Sequence, residues 1–290
     1  MTYEDNEASM NESLMTAADF LYPSWRVSPR VRALMTTRAG GVSLPPYGKW
    51  IDGREAAGGL NLGLHTGDDP ADVTENRRRL LAFAGARAAW LEQIHGDTIV
   101  RAEQALAEPA PVRADASVTD EPGVACVVMV ADCLPVLLCD EEGRAVGAAH
   151  AGWRGLAAGI VEKTARRVAD LAGRDTSALH AYLGPAIGPQ AFEVGDEVRE
   201  AFLAEAESAE RDATANAFVA HIDTPGKHWA DLYALARLRL ARWGVTRVTG
   251  GDFCTVGDRD RFYSYRRDRV TGRMAAMIWL ADAAADRTAD

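Results

Sequence analysis

What the chain lacks narrows it first. None of its 290 residues belongs to an apolar run long enough to cross a bilayer. The opening residues, MTYEDNEASMNESLM, are acidic and lack the basic and apolar regions of a secretory signal. Four cysteines, at positions 126, 133, 139 and 254, include no C-x-x-C pair. That pattern predicts a reducing, cytoplasmic setting rather than a disulfide framework. Positive charge is also short: 32 Lys and Arg face 42 Asp and Glu, for a net charge of −10. Such a balance favours solubility and argues against nucleic acid as a partner, though a local basic patch can still handle phosphate, and the absence of a long apolar run argues against a membrane one. Linkers, low-complexity segments and internal repeats are missing too, so a single domain is expected over residues 21–282. The acidic stretches 1–20 and 283–290 read as disordered tails.

What is present is organised around ADCLPVLLCDEEGRAVGAAHAGWRG, residues 131–155. The apolar runs before Cys133, after it and before His150 have the composition of strands covered on both faces. GWRG then leads into a predicted helix on which Leu156, Ile160, Thr164, Val168 and Leu171 recur at helical spacing. Further helices are expected around Asn76, Leu80 and Leu81 (capped by Asp72 or Thr74), over FEVGDEVREAFLAEA, and over HWADLYALARLRLARWGV with Trp229 in its apolar stripe. WLEQIHGDTIVRA reads as strand, turn, strand, with Gln93 and His95 on one face. FYSYRRDRVTGRMAAMIWL reads as a polar hairpin leading to a last strand. PPYGKWIDGREAAGG, covering 45–59, reads as a long loop. Strands outnumber helices and come in clusters, which predicts a mixed α/β (α+β) fold of packed sheets flanked by helices.

Several side chains at strand ends have chemistry to offer. His95, Cys133 and His150 together would supply nitrogen and sulfur ligands suited to zinc, with a fourth position left for water or substrate. Their spacing equally allows hydrogen-bonded structural histidines and a core cysteine. Cys126 and Cys139 read as core residues, and His180, His221 and His228 as structural or surface histidines. His65 lines a pocket or is structural. Arg38, Arg154 and Arg266 each stand in a Gly-rich or polar turn, where a guanidinium fork suits an oxyanion. Gln93 is a candidate for hydrogen-bonding a heterocycle. Asp115 handles a proton or caps a turn, and Asn61 braces its loop.

The motifs TTRAGGVS, LNLGLHTGDDPADVTENRRRL, QIHGD, DASVTD, ADCLPVLL, HAGWRG, LGPAIGP, FEVGDEV and FYSYRRD-x-x-TGRMA, in this order from about Arg30 to Leu280, resemble those of the YfiH family. This is the laccase-domain or polyphenol-oxidase-like family, some members of which are described as purine nucleoside phosphorylases. The resemblance implies a layered α/β/β/α sandwich with metal ligands at His95, Cys133 and His150. It also implies zinc-dependent phosphorolysis of adenosine, inosine, guanosine or methylthioadenosine, together with adenosine deamination. Phosphate and a purine nucleoside are then the small-molecule partners, with Arg38, Asn61, His65, Gln93, Arg154 and Arg266 as candidate contacts and Asp115 as a candidate catalytic group. Multicopper chemistry fits poorly, because the six histidines contain no H-x-H pair and no Met lies between Cys133 and His150. Copper oxidation in vitro would reflect adventitious copper at the His/Cys/His set. Two other readings stand beside this one. In the first, Cys133 is a nucleophile and His150 its base, in a thiol hydrolase or amidase that includes cell-wall precursor editing. In the second, the protein is a non-enzymatic binding protein braced by zinc.

Overall fold

Alternation along the strands sorts the apolar side chains into layers. Every residue of Val124–Val130 is buried. Val124, Cys126, Val128 and Val130 pack into one cluster, and Ala125, Val127 and Met129 into another. Leu134–Asp140 divides the same way. Leu137 and Cys139 join the first cluster, whereas Leu134, Val136 and Leu138 join a third, with Ile160, Val168, Leu235 and Leu240 from helices. Successive side chains of a strand point to opposite faces. The shared cluster therefore lies between two sheets, and each outer face is covered by helices: Pro70–Ala84 on one side, Ile160–Ala172 and Leu232–Arg242 on the other. This is the expected α/β/β/α sandwich, seen in a computed structural model that describes residues 15–281.

The first sheet runs Phe20–Leu21, Val31–Thr36, Met274–Leu280, Val124–Val130, Arg87–Ala89, antiparallel except for its last pair. The second runs Arg247–Gly250, Leu179–Leu183, Leu134–Asp140, Val146–Ala151, Ala116–Thr119, Ile99–Arg101, antiparallel inside and parallel at both edges. Its register matters for function. Pro135 pairs with His150 and Ala149 with Ala116. Cys133, His150 and Asp115 therefore arrive at the same end of the sheet.

Several local expectations change. Asp69, not Asp72 or Thr74, caps the first long helix by accepting from the Ala71 N–H at 2.8 Å. Pro70 takes the first helical position, where its fixed φ helps and its missing N–H costs nothing. The helix expected from Leu156 is split into Trp153–Ala157 and Ile160–Ala172 by Gly159, at φ 88°. Glu193–Gly195 and Lys227–Ala230 are strands, and helices begin only at Asp196 and Leu232. Trp229 thus leaves the helical stripe and pairs with Glu193 and Val219 in a three-stranded sheet, a tertiary pairing that local periodicity does not report. Residues 91–95 form no strand beyond a bridge from Glu92 to Arg113. The loop at 45–59 holds a hairpin, Lys49–Ile51 with Arg54–Ala56, turned by Asp52 and Gly53 at positive φ. Instead of a polar hairpin, Tyr265–Asp268 is a short helix before the strand Met274–Leu280. The tails lie mostly outside the described residues. Within the described part of the first, Ala17–Asp19 forms a 3-10 turn and Phe20 is buried with its ring 4.6 Å from Phe83. No described helix is long and apolar enough to cross a membrane.

Candidate metal centre and its cavity

One carboxylate assembles the site. Asp115 is fully buried just ahead of Ala116–Thr119. It accepts from three consecutive backbone N–H groups, those of Ile94 (3.3 Å), His95 (2.9 Å) and Gly96 (2.7 Å), and from His150 Nδ1 at 2.9 Å. Burial alone would raise its pKa; the hydrogen bonds from His150, Gly96 and His95 outweigh that and lower it. An ionised carboxylate only accepts, so His150 Nδ1 carries its proton here and Nε2 is left as a ligand atom. The proton-handling role considered for Asp115 gives way to an orienting one, because its oxygens are spent on holding both histidines.

Two backbone positions aim the other ligands. His95 sits at φ 59° and Asp132, next to Cys133, at φ 96°, conformations that non-glycine residues adopt only when their surroundings enforce them. Asp132 is held by Thr255 Oγ1 and the Arg266 N–H, each 2.6 Å from a carboxylate oxygen, while its carbonyl accepts from the Ile187 N–H at 2.9 Å. As a result Cys133 Sγ lies 3.9 Å from His95 Nε2. The two imidazoles stand edge to face with centroids 4.8 Å apart, and all three ligand atoms lie within 4.8 Å of one another. Burial opposes a thiolate at Cys133, but His150 and His95 outweigh it and lower the thiol pKa; Cys133 and Asp115 raise that of His150 against its own burial.

The donor set fits a metal ion. Bonds of about 2.3 Å to sulfur and about 2.0 Å to nitrogen put tetrahedral ligand atoms roughly 3.3–3.5 Å apart, so the three, 3.9 Å apart for Cys133 and His95 and within 4.8 Å overall, need to draw in by about an ångström or less to hold an ion. Gly152 leaves the necessary room: a Cβ there would lie 3.1 Å from His95 Cδ2 and 3.2 Å from Cys133 Sγ. Three ligands leave a fourth position free, as in catalytic rather than structural sites. They open into a cavity of about 550 Å³ walled by His65, Leu91, Glu92, Gln93, Met129, Tyr265 and Arg273. A groove of about 650 Å³ lies elsewhere, lined by Trp25, Phe83 and Trp279 among others, without a histidine, cysteine or carboxylate. The candidate metal ligands open into the smaller cavity.

The arginines expected there are not on its wall. Arg38 is buried with Nε and Nη2 on the Gly48 carbonyl (3.1 and 2.8 Å), Nη1 on the Arg259 carbonyl (3.2 Å) and its guanidinium 4.8 Å above the Tyr263 ring. Arg154 is exposed and stacks on Trp153. Arg266 spends Nη1 and Nη2 on the Glu193 carbonyl. A polar turn in sequence holds an arginine for backbone carbonyls as readily as for a ligand. Asn61 is a brace: its Oδ1 accepts from the N–H groups of Gly63 and Arg273, and Nδ2 donates to Thr66 and Asp68. Gln93 reaches the cavity, yet its amide exchanges two hydrogen bonds with the Met129 backbone (2.8 and 2.7 Å) and is not free for a heterocycle. His65 does line the cavity. Residues the sequence reading missed are Arg273 and Tyr265. Both lie within quoted motifs, TGRMA and FYSYRRD, but local sequence did not separate them from their arginine and tyrosine neighbours.

Fold and site define a layered α/β/β/α protein with a His/Cys/His candidate metal centre at one end of a sheet. Residues 32–281 match the family described as multi-copper polyphenol oxidoreductase laccase. The chain is 51% identical over 263 residues to purine nucleoside phosphorylase PA4543 of Pseudomonas aeruginosa, covering 91% of this chain and 99% of that protein. It is 50% identical to purine nucleoside phosphorylase YfiH of Escherichia coli, covering 90% and 98%. Among solved structures, Neisseria meningitidis protein NMB0706 superposes with a TM-score of 0.80 at 47% identity, over 91% of this chain and all of that one. YlmD from Geobacillus stearothermophilus gives 0.79 at 32%, over 92% and 98%. The chain belongs to this family, the laccase-domain or YfiH family. Despite the family's description, the described residues offer one His/Cys/His cluster and no second set for a trinuclear copper centre.

Proposed function

We propose that this protein is a zinc-dependent purine nucleoside phosphorylase of the cytoplasm that also deaminates adenosine. The observation that carries the reading is an open His95/Cys133/His150 ligand set at the floor of a nucleoside-sized cavity, in a chain half identical to proteins named purine nucleoside phosphorylase. Zinc is favoured by the nitrogen and sulfur donors; copper would compete for the same ligands in vitro. When bound, the ion supplies a Lewis acid and a water of lowered pKa. The chain's own part is positional. Asp115 fixes the tautomer and plane of His150 and the backbone of His95, so the ligand set needs little rearrangement. The apolar wall of Leu91 and Met129 excludes water, and the Tyr265 ring offers an aromatic face.

In phosphorolysis a phosphate oxygen bonds to C1′ as the C1′–N9 bond breaks. The electron pair leaves with the purine, which takes up a proton, and the sugar departs as its 1-phosphate. Deamination of adenosine exchanges the C6 amino group for a water oxygen and releases ammonia. The test is elemental analysis of the purified protein joined to a nucleoside screen with and without phosphate. Zinc near one per chain and phosphate-dependent release of free base are expected; no turnover of any purine nucleoside would refute the reading.

A second reading is favoured by one observation, the lowered pKa of Cys133 beside His150, which also suits a thiol nucleophile. It predicts ready alkylation of Cys133 in the metal-loaded protein and activity that survives chelation. Metal ligation predicts protection until chelation. His95→Ala decides, since a Cys–His dyad leaves His95 unused.

A further inference from the structure

The cavity wall carries a cation that no described carboxylate pairs at contact distance. Arg273, just before Met274–Leu280, is partly buried, and its Nη1 donates to the carbonyls of Thr271 and Gly272, both at 3.1 Å. Those bonds fix the plane of the guanidinium. Its Nε and Nη2 have no hydrogen-bond partner among the described residues, and no described carboxylate lies within ion-pair distance. The backbone N–H of Arg273 donates to Asn61 Oδ1 at 2.8 Å, and the same oxygen takes the Gly63 N–H at 3.0 Å. This ties Arg273 to the loop that bears His65. The ring of His65 lines the same cavity, and burial together with Arg273 and Arg77 disfavours its protonation. Arg77 adds a second cation without a carboxylate, bound to the Leu62 carbonyl at 2.9 Å and lying 4.0 Å over Trp90. Glu92, the carboxylate in the wall, is 3.5 Å from Arg113.

A partly desolvated cation without an ion-pair partner is costly even with two carbonyls and the Tyr265 ring, 5.8 Å away, beside it, and here it stands beside the candidate metal ligands of a chain with net charge −10. Its unspent Nε–Nη2 edge is the two-pronged donor that matches two oxygens of an oxyanion. We propose that Arg273, flanked by His65 and backed by Arg77, forms the oxyanion subsite of the cavity and holds phosphate. That the phosphate is the inorganic co-substrate rests on the phosphorylase reading; the subsite itself does not.

The test compares the zinc-loaded full chain with Arg273→Gln and with Arg273→Lys, which keeps the charge and loses the fork. Melting curves are taken in inorganic phosphate against chloride at equal ionic strength, and steady-state kinetics are run varying phosphate and nucleoside separately. The expected result is that phosphate stabilises the parent protein but not Arg273→Gln. The KM for phosphate should rise about ten- to a hundredfold in Arg273→Gln and less in Arg273→Lys, with nucleoside KM and zinc content nearly unchanged. If the parent turns over no nucleoside yet is stabilised by phosphate through Arg273, the subsite stands and the phosphorylase reading falls. If a nucleoside 5′-monophosphate binds through Arg273 more tightly than inorganic phosphate, the subsite stands with its oxyanion carried by the substrate. An unchanged phosphate response in both folded variants, or a rise in the nucleoside KM alone, overturns the proposal.

Discussion

Two regions of the molecule place a pair of histidines against acidic side chains, and only one of them builds a site. In the small three-stranded sheet His228 Nε2 lies 2.7 Å from Asp196 Oδ1, and His221 Nε2 lies 3.9 Å from Glu193 Oε2 with its ring 5.2 Å from Trp229. Each carboxylate there is partly or largely exposed and serves one histidine. At the end of the six-stranded sheet a single buried carboxylate, Asp115, serves both His95 and His150, and Cys133 joins them. Residue types are nearly the same in the two regions. What differs is burial and convergence: a shared, desolvated acceptor holds the His150 ring and the backbone that carries His95 against one thiol, whereas separate pairs with exposed carboxylates leave their rings apart.

The sharpest way to break this comparison is to delete ligands. His95→Ala, Cys133→Ala and His150→Ala should each take bound zinc from about one per chain to near zero by elemental analysis, while His221→Ala and His228→Ala keep it. Zinc retained in the first set would refute the ligand assignment, and zinc lost in the second would show that the small sheet shares in binding. The next largest effect concerns the acceptors. Asp115→Asn should weaken zinc about 10- to 100-fold in a chelator competition, because the imidazole loses its oriented, charged partner; Asp196→Asn should leave the affinity unchanged.

A smaller effect tests the room around the ligands. Gly152→Ala places a methyl 3.1–3.2 Å from His95 and Cys133, and such crowding costs about 1–3 kcal/mol. It should appear as a lower melting temperature of the zinc-loaded protein, and an unaltered melt would mean the ligands yield freely. Least of all should follow from removing the exposed carboxylate of the His228 pair. Asp196→Asn is expected to cost no more than about 1 kcal/mol in urea unfolding, since Asp196 is largely exposed and its pairing is screened. A larger loss would make the small sheet a structural keystone.

The layers were legible in the sequence because strand alternation and apolar runs are local. VACVVMV and PVLLC encode two buried faces whatever they pack against. Helix starts were less legible: Pro70 moved a cap to Asp69, and pairing across the sheet turned Trp229 from helix to strand. The candidate ligands, which the structure brings together, were nameable from resemblance. Their supports were not. Arg38, Arg154 and Arg266 resembled ligand-binding arginines in sequence and serve carbonyls, an aromatic face or solvent instead, while Arg273 occupies the cavity wall.

The sequence by itself determined what each strand buries, since that follows from composition and a period of two, and it offered side chains whose chemistry suits a site. Only the tertiary structure decided which of those side chains meet. Asp115 lies 20 residues from His95 and 35 from His150 in the chain, and Arg273 lies in the segment leading to the final strand of the fold. No local pattern spans such distances. The pairing of Pro135 with His150 and of Ala149 with Ala116 sets them side by side, because strand register, fixed by which faces must be buried, is a property of the whole sheet.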